Sequence, residues 1–391
     1  MSKLKMQKTY KFRLYPTRKQ TEKLDKTLEI CRILYNSCLV DRNRHYEQTG
    51  KGLSRIDQQK ILVQDKKRIS ELKEIHSQVL QDVLFRVERA YRNFFRRLKT
   101  KDGKAGYPRF KAENRYDSIT YPQTGFEIAD EKLKVSKIGE IKLKQHRSIN
   151  GNIKTCIIKK ETDKWYVSLS VEYACTPIKR SIISKPVGID MGIRSFVVTS
   201  DGQIIDNPKY LIKQENKLIK LQQKLSSKVK RSNNRKKARI IVAKLHKKIF
   251  NQRKDFQHKL SRQIINNYDM LAVEKLKIRN MVQNPYLSKS ISDSGWGQFL
   301  NMLEYKAEEA GIPFFRIEPK YTSIDCNNCG TKVPKTLANR IHICPKCNIV
   351  IDRDINAAIN IKQKAIEKIR QELPEYTLAE ISSVDDRKTA H

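Results

Sequence analysis

Four cysteines near the C-terminal end of this sequence have the spacing of a metal site. Cys326 and Cys329 form one C-x-x-C pair, Cys344 and Cys347 form a second, and fourteen residues separate the two pairs. Each pair can present two sulfurs from one tight turn, and the loop between them can bring all four thiolates around Zn²⁺. Because four cysteine ligands leave no open coordination position, the spacing predicts a structural zinc and not a catalytic one.

Three carboxylates, Asp190, Glu274 and Asp354, lie at or next to the ends of apolar segments. An acid at the edge of a buried segment is costly unless it is paired or binds a metal. Three converging acids repel one another, and their oxygen ligands favour Mg²⁺ or Mn²⁺ over zinc. Two such ions can activate a water and stabilise the leaving 3′ oxygen in phosphodiester hydrolysis. The chain has 42 acidic residues, so the pattern by itself leaves an accidental trio open.

Other catalytic signatures do not compete with these two. The sequence has no Ser-His-Asp pattern and no glycine-rich phosphate loop, and its seven histidines form no H-x-x-x-H pair. Four further cysteines follow no paired spacing, which predicts reduced core residues in a reducing compartment. They are Cys31, Cys38, Cys156 and Cys175.

The net charge indicates a polyanionic partner. The chain has 81 Lys and Arg residues against 42 Asp and Glu residues, a formal net charge of +39. Many phosphate contacts, each releasing counterions, are the direct physical reading of such an excess. A basic surface that only prevents aggregation, or one that binds a membrane, explains it less well because the charge is spread along the whole chain. No apolar run of eighteen residues and no apolar N-terminal h-region are present, so we expect neither a membrane span nor a secretory signal.

The elements that must position the acids and cysteines can be read from the periodicity of apolar residues. In the first half, residues 8–15 alternate as a strand, Thr17 can cap a helix to about Gln48, and an apolar stripe predicts a second helix from about Ser77 to Lys99. Residues 106–173 then alternate with period two. With the first strand, these segments could close a small β-barrel that is interrupted by the helices of residues 18–100.

The second half predicts strands that end in acids. Residues 186–190 and 268–275 are strands ending at Asp190 and near Glu274, and further strands are expected at 194–199 and 313–317. Helices are expected over 209–266 with a break at 229–237, over 297–310, and from about 355. The break carries Arg235, Lys236 and Lys237, for which a solvated loop and a contact with a phosphate backbone are both open readings.

Several segments occur in an order that is typical of one family. They are Val187-Gly-Ile-Asp190-Met-Gly-Ile193, Leu271-Ala-Val-Glu274-Lys-Leu276, Tyr321-Thr-Ser-Ile-Asp-Cys326-Asn-Asn-Cys329-Gly, Cys344-Pro-Lys-Cys347 and Asp352-Arg-Asp-Ile-Asn-Ala-Ala-Ile-Asn360. Together they resemble the TnpB (OrfB) family of transposon-encoded, RNA-guided DNA endonucleases, relatives of the type V CRISPR effectors. Similar segments are Tyr10–Thr17, Ala90–Phe95, Phe256–Leu260 and Ile291–Gly297, so the resemblance covers residues 8 to about 365.

The resemblance implies an α+β multidomain fold. An N-terminal wedge-type β-barrel would comprise residues 1–17 and 101–183, with a helical recognition insertion at 18–100. A RuvC-like core with an RNase H fold would comprise 184–320 and 349–366, with a Cys₄ zinc-ribbon at 321–348 inserted into it. The last residues, 367–391, are rich in Asp and Glu and are expected to form a loosely ordered tail.

The resemblance also implies function. Carried over to this sequence, the family's D…E…D triad falls on Asp190, Glu274 and Asp354, with Asp354 preferred over Asp352 because it immediately precedes Ile-Asn-Ala-Ala. An RNA from the transposon end would guide metal-dependent cutting of double-stranded DNA beside a short motif read by the protein, in the cytoplasm or nucleoid of a prokaryote. Candidates for reading that motif, by position and because Gln can hydrogen-bond base edges, are Ser77, Gln81, Tyr121 and Gln123.

Three other functions stay open at this point. A catalytically silent RNA-guided DNA-binding regulator would lack a triad acid, and none is missing. A strand-transferring DDE transposase orders its acids D, D, E, whereas the glutamate is second here, so the older label of transposase describes genetic context. A zinc-ribbon protein that binds RNA without catalysis would not depend on the acids at all.

Overall fold

A computed structural model describes residues 4–100, 105–113, 115–175, 182–336, 339–373 and 376–378. The chain divides into two compact units, Met1–Thr176 and Pro177–His391. Across those described ranges, the helices are all too short or too polar to cross a lipid bilayer.

The first unit is built on a seven-stranded antiparallel sheet. The strands are β1 (Leu4–Tyr15), β2 (Ser118–Tyr121), β3 (Phe126–Ala129), β4 (Lys132–Val135), β5 (Gly139–Lys144), β6 (Asn152–Glu161) and β7 (Lys164–Cys175). They follow the order β2-β6-β7-β1-β5-β4-β3, so β1 lies at the centre, pairing with β7 along most of its length and with β5 at its end. All the predicted strands are present. In the described residues the order has two ends, β2 and β3. The strands β2 and β4 were not predicted individually.

Four helices of the first unit pack on this sheet. They are α1 (Arg18–Thr49), α2 (Arg55–Arg68), α3 (Ser70–Lys73) and α4 (Ser77–Thr100). Thr17 and Gln20 form a capping box at the start of α1, and Gly50 ends it with a left-handed φ of 68°. The predicted limits of α1 and α4 are therefore confirmed. We did not predict α2, because it buries only Gln58 and Leu62 and so lacks a continuous apolar stripe.

The second unit contains a five-stranded mixed sheet. Its strands are β9 (Pro186–Asp190), β10 (Ser195–Thr199), β11 (Ile204–Asp206), β12 (Met270–Glu274) and β13 (Phe314–Ile317), in the order β11-β10-β9-β12-β13. The strands β9, β12 and β13 run parallel, whereas β10 and β11 are antiparallel to their neighbours. Two short strand pairs complete the unit: β8 (Ile182–Ile183) with β16 (Thr377–Leu378), and β14 (Ile341–Ile343) with β15 (Val350–Asp352).

Helices cover both faces of the mixed sheet. They are α5 (Tyr210–Ser226), α6 (Asn233–Asn267), α7 (Ile278–Met281), α8 (Ser288–Ser294), α9 (Trp296–Ala310) and α10 (Arg353–Glu372). Side chains alternate along each strand, so Leu271 and Val273 pack in one core with Phe299 of α9. Ala272 packs in a second core, on the opposite face, with Ile361 of α10. The parallel strands are therefore buried on both sides, as their nearly continuous apolar sequences predict.

Three boundaries of the structure differ from the expected ones. The first unit ends at Thr176 and not at 183, because Ile183 is buried in the core of the second unit. The helix α6 begins at Asn233, because the Ser232 side chain caps it, so Arg235, Lys236 and Lys237 lie in its first turn and not in a loop. The helix α10 continues to Glu372, past the expected limit of 366, because Ile369 extends its buried face. The remainder of the expected tail, 374–375 and 379–391, lies outside the described residues.

A sheet and a helix of the second unit approach each other closely at Gly188. A Cβ built on Gly188 of β9 would lie 1.9 Å from the Ala358 carbonyl oxygen and 2.7 Å from the Lys362 amide nitrogen, both in the backbone of α10. Because neither backbone atom can rotate away, this position accepts only glycine.

We predict that Gly188→Ala lowers the free energy of unfolding by about 3 kcal/mol or more, because α10 must separate from the sheet. Urea denaturation measures the effect. The matched control is Gly297→Ala in α9, where the new Cβ would make an ordinary 3.5 Å contact with Ile278. The control should be neutral or stabilising, since alanine is the better helix former. Equal stabilities for both variants would contradict the close approach of α10 to β9.

Candidate active site and metal centre

Two of the three predicted acids lie at the same edge of the mixed sheet. Asp190 is the last residue of β9 and Glu274 is the last residue of β12. The two strands are parallel neighbours, and the residues before the acids, Ile189 and Val273, are register partners. The third acid, Asp354, is in the first turn of α10, the helix that packs on β9 at Gly188.

The electrostatics of Asp190 connect it to the other two acids. Burial, and then the carboxylates of Glu274 and Asp354, raise the pKa of Asp190 to about 8. Burial also raises the pKa of Glu274, although a hydrogen bond from the Thr322 hydroxyl at 2.5 Å and the charge of Lys364 oppose this. A buried carboxyl whose pKa is raised by two neighbouring carboxylates is suited to binding a divalent cation, which would relieve the repulsion.

Two arginines bind the third acid. The Arg353 guanidinium lies 3.0 Å from one carboxylate oxygen of Asp354, and Arg340 lies 3.7 Å from the other. The neighbouring Asp352 has a different role, because its side chain accepts hydrogen bonds from the backbone amides of Asp354 and Ile355 and so caps α10. Asp352 thus caps the helix, whereas the charge of Asp354 acts on Asp190.

The acids and the cysteines differ in how tightly they are gathered. Within the described part of the chain, the cysteines are the one group of three or more potential ligands whose donor atoms all lie within 4.8 Å of one another. The three carboxylates are more widely spaced.

The four cysteines have the geometry of a tetrahedral metal site. The Sγ atoms of Cys326 and Cys347 are 3.6 Å apart, and those of Cys329 and Cys344 are 3.4 Å apart. A tetrahedral site with Zn–S distances of about 2.3 Å separates its sulfurs by about 3.8 Å. The four cysteines could therefore hold a metal ion such as zinc with little movement of the protein.

Both C-x-x-C pairs form the same type of backbone turn. In the first, the Gly330 amide donates to the Cys326 carbonyl at 2.9 Å, and in the second the Asn348 amide donates to the Cys344 carbonyl at 2.9 Å. Gly330 and Asn348 both have a positive φ, the conformation that Gly and Asn adopt most readily. Hydrogen bonds from Thr331 lower the pKa of Cys329 to about 6, which favours the thiolate that binds metal.

Two buried asparagines join this metal centre to α10. The Asn356 side chain donates to the Asp325 carbonyl at 2.9 Å and accepts from the Asn327 amide at 3.0 Å. The Asn360 side chain donates to the carbonyls of Thr322 and Asp325, each at 2.8 Å. We did not predict this role, nor that of Thr322. The i, i+4 spacing of two asparagines on one helix face was the only sequence signal for it.

The predicted readers of a DNA motif lie in the first unit and fall into two groups. Ser77 and Gln81 are exposed at the start of α4, and Gln123 is exposed after β2. A 3.0 Å hydrogen bond from the Thr124 amide to Gln78 joins these two segments. Tyr121, by contrast, is 2% exposed and packs against His76, so its side chain is part of the core. Because the side chain of Tyr121 is buried, it cannot contact the edge of a DNA base.

The three basic residues at the start of α6 are not equivalent either. The Arg235 guanidinium donates to the carbonyls of Leu225 and Lys228, both at 2.9 Å, and so closes the turn between α5 and α6. Lys236 and Lys237 are exposed on the first turn of α6. A contact with phosphate at this turn remains a prediction, and it rests on the two lysines more than on Arg235.

We predict that the purified chain contains about one zinc ion and that Cys329→Ser loses it, because three ligands bind zinc far more weakly than four. Elemental analysis gives the zinc content per chain. The matched control is Cys31→Ala, which removes a buried thiol from the core of the first unit and should retain zinc. Wild-type protein that is folded and free of zinc would contradict the assignment.

We also predict a pH dependence of stability that Asp190 causes. The pKa of Asp190 is about 8 in the folded chain and ordinarily 3.8, so the folded state holds one more proton between these values. The free energy of unfolding therefore falls as pH rises from about 4 to 8. Without added divalent cations, Asp190→Asn should gain at least about 1 kcal/mol over wild type at pH 8 relative to pH 5 in urea denaturation. Parallel curves for the two proteins would mean that Asp190 is already ionised.

Three sequence families match parts of the chain. The OrfB_IS605 family, described as a probable transposase, matches residues 168–285, and the Cas12f1-like TNB domain matches residues 296–361. A family described as a helix-turn-helix domain matches residues 6–51. In this structure, the described residues of that last stretch form β1 and the single helix α1.

Similar proteins match almost the whole chain. A putative RNA-guided DNA endonuclease of Streptomyces pristinaespiralis is 33% identical over 91% of this chain and 89% of its own. The putative RNA-guided DNA endonuclease InsQ of Escherichia coli K12 is 31% identical over 92% of each. The solved structure of the mini-RNA-guided endonuclease CRISPR-Cas_phi3 covers 92% of each chain with a TM-score of 0.50 and 11% identity, a likeness of fold. On the strength of the two relatives that are similar along their whole length, the chain belongs to the TnpB (OrfB) family.

Proposed function

We propose that this protein is an RNA-guided endonuclease that hydrolyses phosphodiester bonds of double-stranded DNA. The observation that carries the proposal is similarity along almost the whole chain to two relatives named as putative RNA-guided DNA endonucleases. The electrostatic coupling of the three acids supports a nuclease site within that similarity. A regulator without catalysis would not need a buried carboxyl whose ionised form is destabilised by two neighbouring carboxylates.

In this proposal the second unit is a RuvC-like nuclease core with an RNase H fold. The mixed sheet supports it, because two antiparallel strands, β10 and β11, adjoin three parallel strands, and Asp190 and Glu274 lie at the ends of the neighbouring strands β9 and β12. The metal centre with its cysteines would be a zinc-ribbon between the second and third acids. In the first unit, the sheet and helices would be the wedge domain and the recognition insertion.

Asp190, Glu274 and Asp354 would hold the catalytic Mg²⁺ or Mn²⁺. When bound, the metal supplies an activated water and stabilises the leaving oxygen. The residues of the chain have separate tasks. The Thr322 hydroxyl orients Glu274, and the raised pKa of Asp190 means that metal binding must displace a proton from this carboxyl near neutral pH. Arg340 and Arg353 hold Asp354 and would have to release at least one of its oxygens for the metal.

The cysteine centre would act on catalysis only through position. Its first C-x-x-C pair is bonded to α10 by Asn356 and Asn360, two and six residues after Asp354. A closed Cys₄ site therefore fixes the start of the helix that carries the third acid. This arrangement supports a structural role for zinc and explains why a ribbon would be inserted at this point of the chain.

The charge of the chain supports the proposed nucleic-acid partners. A formal net charge of +39 suits a protein that encloses a guide RNA and target DNA mainly through backbone contacts, while base pairing supplies the sequence information. The guide would derive from the transposon end. The exposed group of Ser77, Gln81 and Gln123 is our candidate for reading the short adjacent DNA motif, and Tyr121 is not part of it because it is buried.

The experiment that tests the function is cleavage of target DNA by the protein purified with its RNA. We predict that Asp190→Ala, Glu274→Ala and Asp354→Ala each reduce cleavage by at least about a hundredfold, because each removes a metal ligand. Binding of the RNA should stay within about twofold of wild type. The readouts are the first-order rate of cleavage in Mg²⁺ and the retention of RNA on a filter.

The matched control is Asp352→Ser, which removes a carboxylate from the same turn but retains a side chain able to cap α10. It should keep most of the activity. An inactive Asp352→Ser beside an active Asp354→Ala would reverse the assignment within the pair. Wild-type protein that binds its RNA but cuts no DNA would instead support an RNA-guided regulator.

A further inference from the structure

A large groove in the first unit is not used by the proposed nuclease site. It lies between the end of α1, the start of α2 and the last turns of α4, and its volume is about 980 Å³, at the upper end of the range for ligand pockets. Three of its aromatic side chains are exposed to solvent: Tyr46 at 63%, Phe95 at 54% and Tyr107 at 49%. Exposing that much aromatic surface in one place is costly unless a ligand covers it.

The aromatic side chains are held in fixed orientations. The Tyr107 hydroxyl donates to Asn43 at 2.8 Å and lies 2.9 Å from the Tyr91 hydroxyl. The rings of Phe94 and Tyr107 meet edge to face with their centroids 5.2 Å apart, and Phe94 packs on Phe95 at the same distance. Phe95 is therefore a supported ring with an exposed surface, which is what a flat ligand needs for stacking.

The charges around the aromatic rings have one sign. Arg92, Arg96 and Lys99 lie on the same side of α4 as Phe95 and line the groove. Within the described ranges of the chain, none of these three makes a salt bridge. The one acid of the lining, Glu88, is paired with Arg42 at 2.8 Å. The groove thus combines an aromatic platform with three cations that have no acidic partner in the described structure.

This combination matches the chemistry of an unpaired nucleotide. Every base offers a flat face for stacking, and the phosphates on either side of it carry the negative charge that the cations would balance. A duplex does not fit, because its bases are stacked on one another and cannot reach an aromatic ring. A purely apolar ligand would leave the three cations without a partner, and an acidic peptide would not explain the aromatic surface.

We propose that this groove binds an unpaired base of the RNA that the protein carries, with the base stacked on Phe95 and its flanking phosphates on Arg92, Arg96 and Lys99. The inference rests on the proposed function, which supplies RNA as the resident ligand. RNA is preferred over DNA because unpaired loops and ends are the usual sites of RNA recognition by aromatic side chains. Target DNA, once paired with a guide, offers no unstacked base on that strand.

Tryptophan fluorescence gives a direct test. The two native tryptophans, Trp165 and Trp296, are each 3% exposed, so Phe95→Trp adds one exposed reporter. In the complex purified with its RNA, the fluorescence of the introduced tryptophan should be quenched by the stacked base. Treatment with an RNase that cuts single strands should restore this fluorescence, and DNase treatment should not. Fluorescence that does not change with RNase, or that recovers with DNase, would overturn the proposal. A peptide or small apolar ligand found in the groove would also overturn it.

Affinity provides the second measurement. After removal of the native RNA, rebinding of that RNA should weaken about tenfold in Phe95→Leu, which keeps apolar volume but loses the stacking surface. The matched control is Phe85→Leu, ten residues earlier on α4, which is also an exposed aromatic (45%) but does not line the groove. The control should bind RNA as wild type does, and thermal unfolding should show both variants folded. Equal affinities for both variants would overturn the proposal.

These results separate the inference from the proposed function. If the wild-type complex does not cleave DNA, the proposed nuclease function is refuted, but the fluorescence result is unaffected. Persistent cleavage together with fluorescence that is insensitive to RNase would refute the groove alone.

Discussion

The contact between the backbone of α10 and strand β9 at Gly188 is the constraint on which the second unit depends. A side chain at this position would overlap the Ala358 carbonyl, so the helix lies directly on the strand. That proximity brings Asp354, at the start of the helix, into the electric field of Asp190, at the end of the strand. Parallel pairing of β9 with β12 then adds Glu274 at the same edge. The site therefore costs the fold twice, through a glycine that nothing can replace and through repulsion between buried acids.

Hydrogen bonds connect the cysteine centre to two segments that carry the acids. Asn356 and Asn360 are buried on the face of α10 that meets the first C-x-x-C pair, and their amides satisfy backbone groups of that loop. The loop also supplies Thr322, whose hydroxyl binds Glu274. Closure of the cysteine centre thus fixes two of the three acids, one through the helix and one through a hydroxyl. This explains how a metal that has no open coordination site could still matter for hydrolysis.

The first unit divides its basic and aromatic residues among different tasks. Arg86 is largely internal, bonded to Asp82 and to the hydroxyls of Ser118 and Thr120 on β2, so it holds α4 to the sheet. Arg92 and Arg96, about two and three turns further along the same helix, face a groove with exposed aromatic rings. A helix rich in arginine is therefore not a uniform phosphate-binding surface. Its first turns stabilise the unit, and its last turns remain available to a ligand.

The sequence by itself determined the elements and the chemistry of the metal ligands. Capping residues such as Thr17 and Gly50, and apolar stripes such as that of α4, are local signals, so the limits of those helices could be predicted within a residue or two. The two C-x-x-C pairs predicted a cysteine centre because each pair forms its own turn, whatever the rest of the fold does. The acids at the strand ends could be named as candidates because each of them follows or borders an apolar segment of the sequence.

Tertiary structure decided what each polar residue does. Only packing shows that Tyr121 is buried, that Arg235 closes a turn, and that the charge of Asp354 acts on Asp190. The hydrogen bond from Thr322 to Glu274 joins residues 48 apart, and no local pattern could reveal it. The helix α2 was missed because its buried side is short and partly polar. Local sequence fixes backbone preferences, but the partner of a polar side chain depends on long-range contacts, which exist only once the chain has folded.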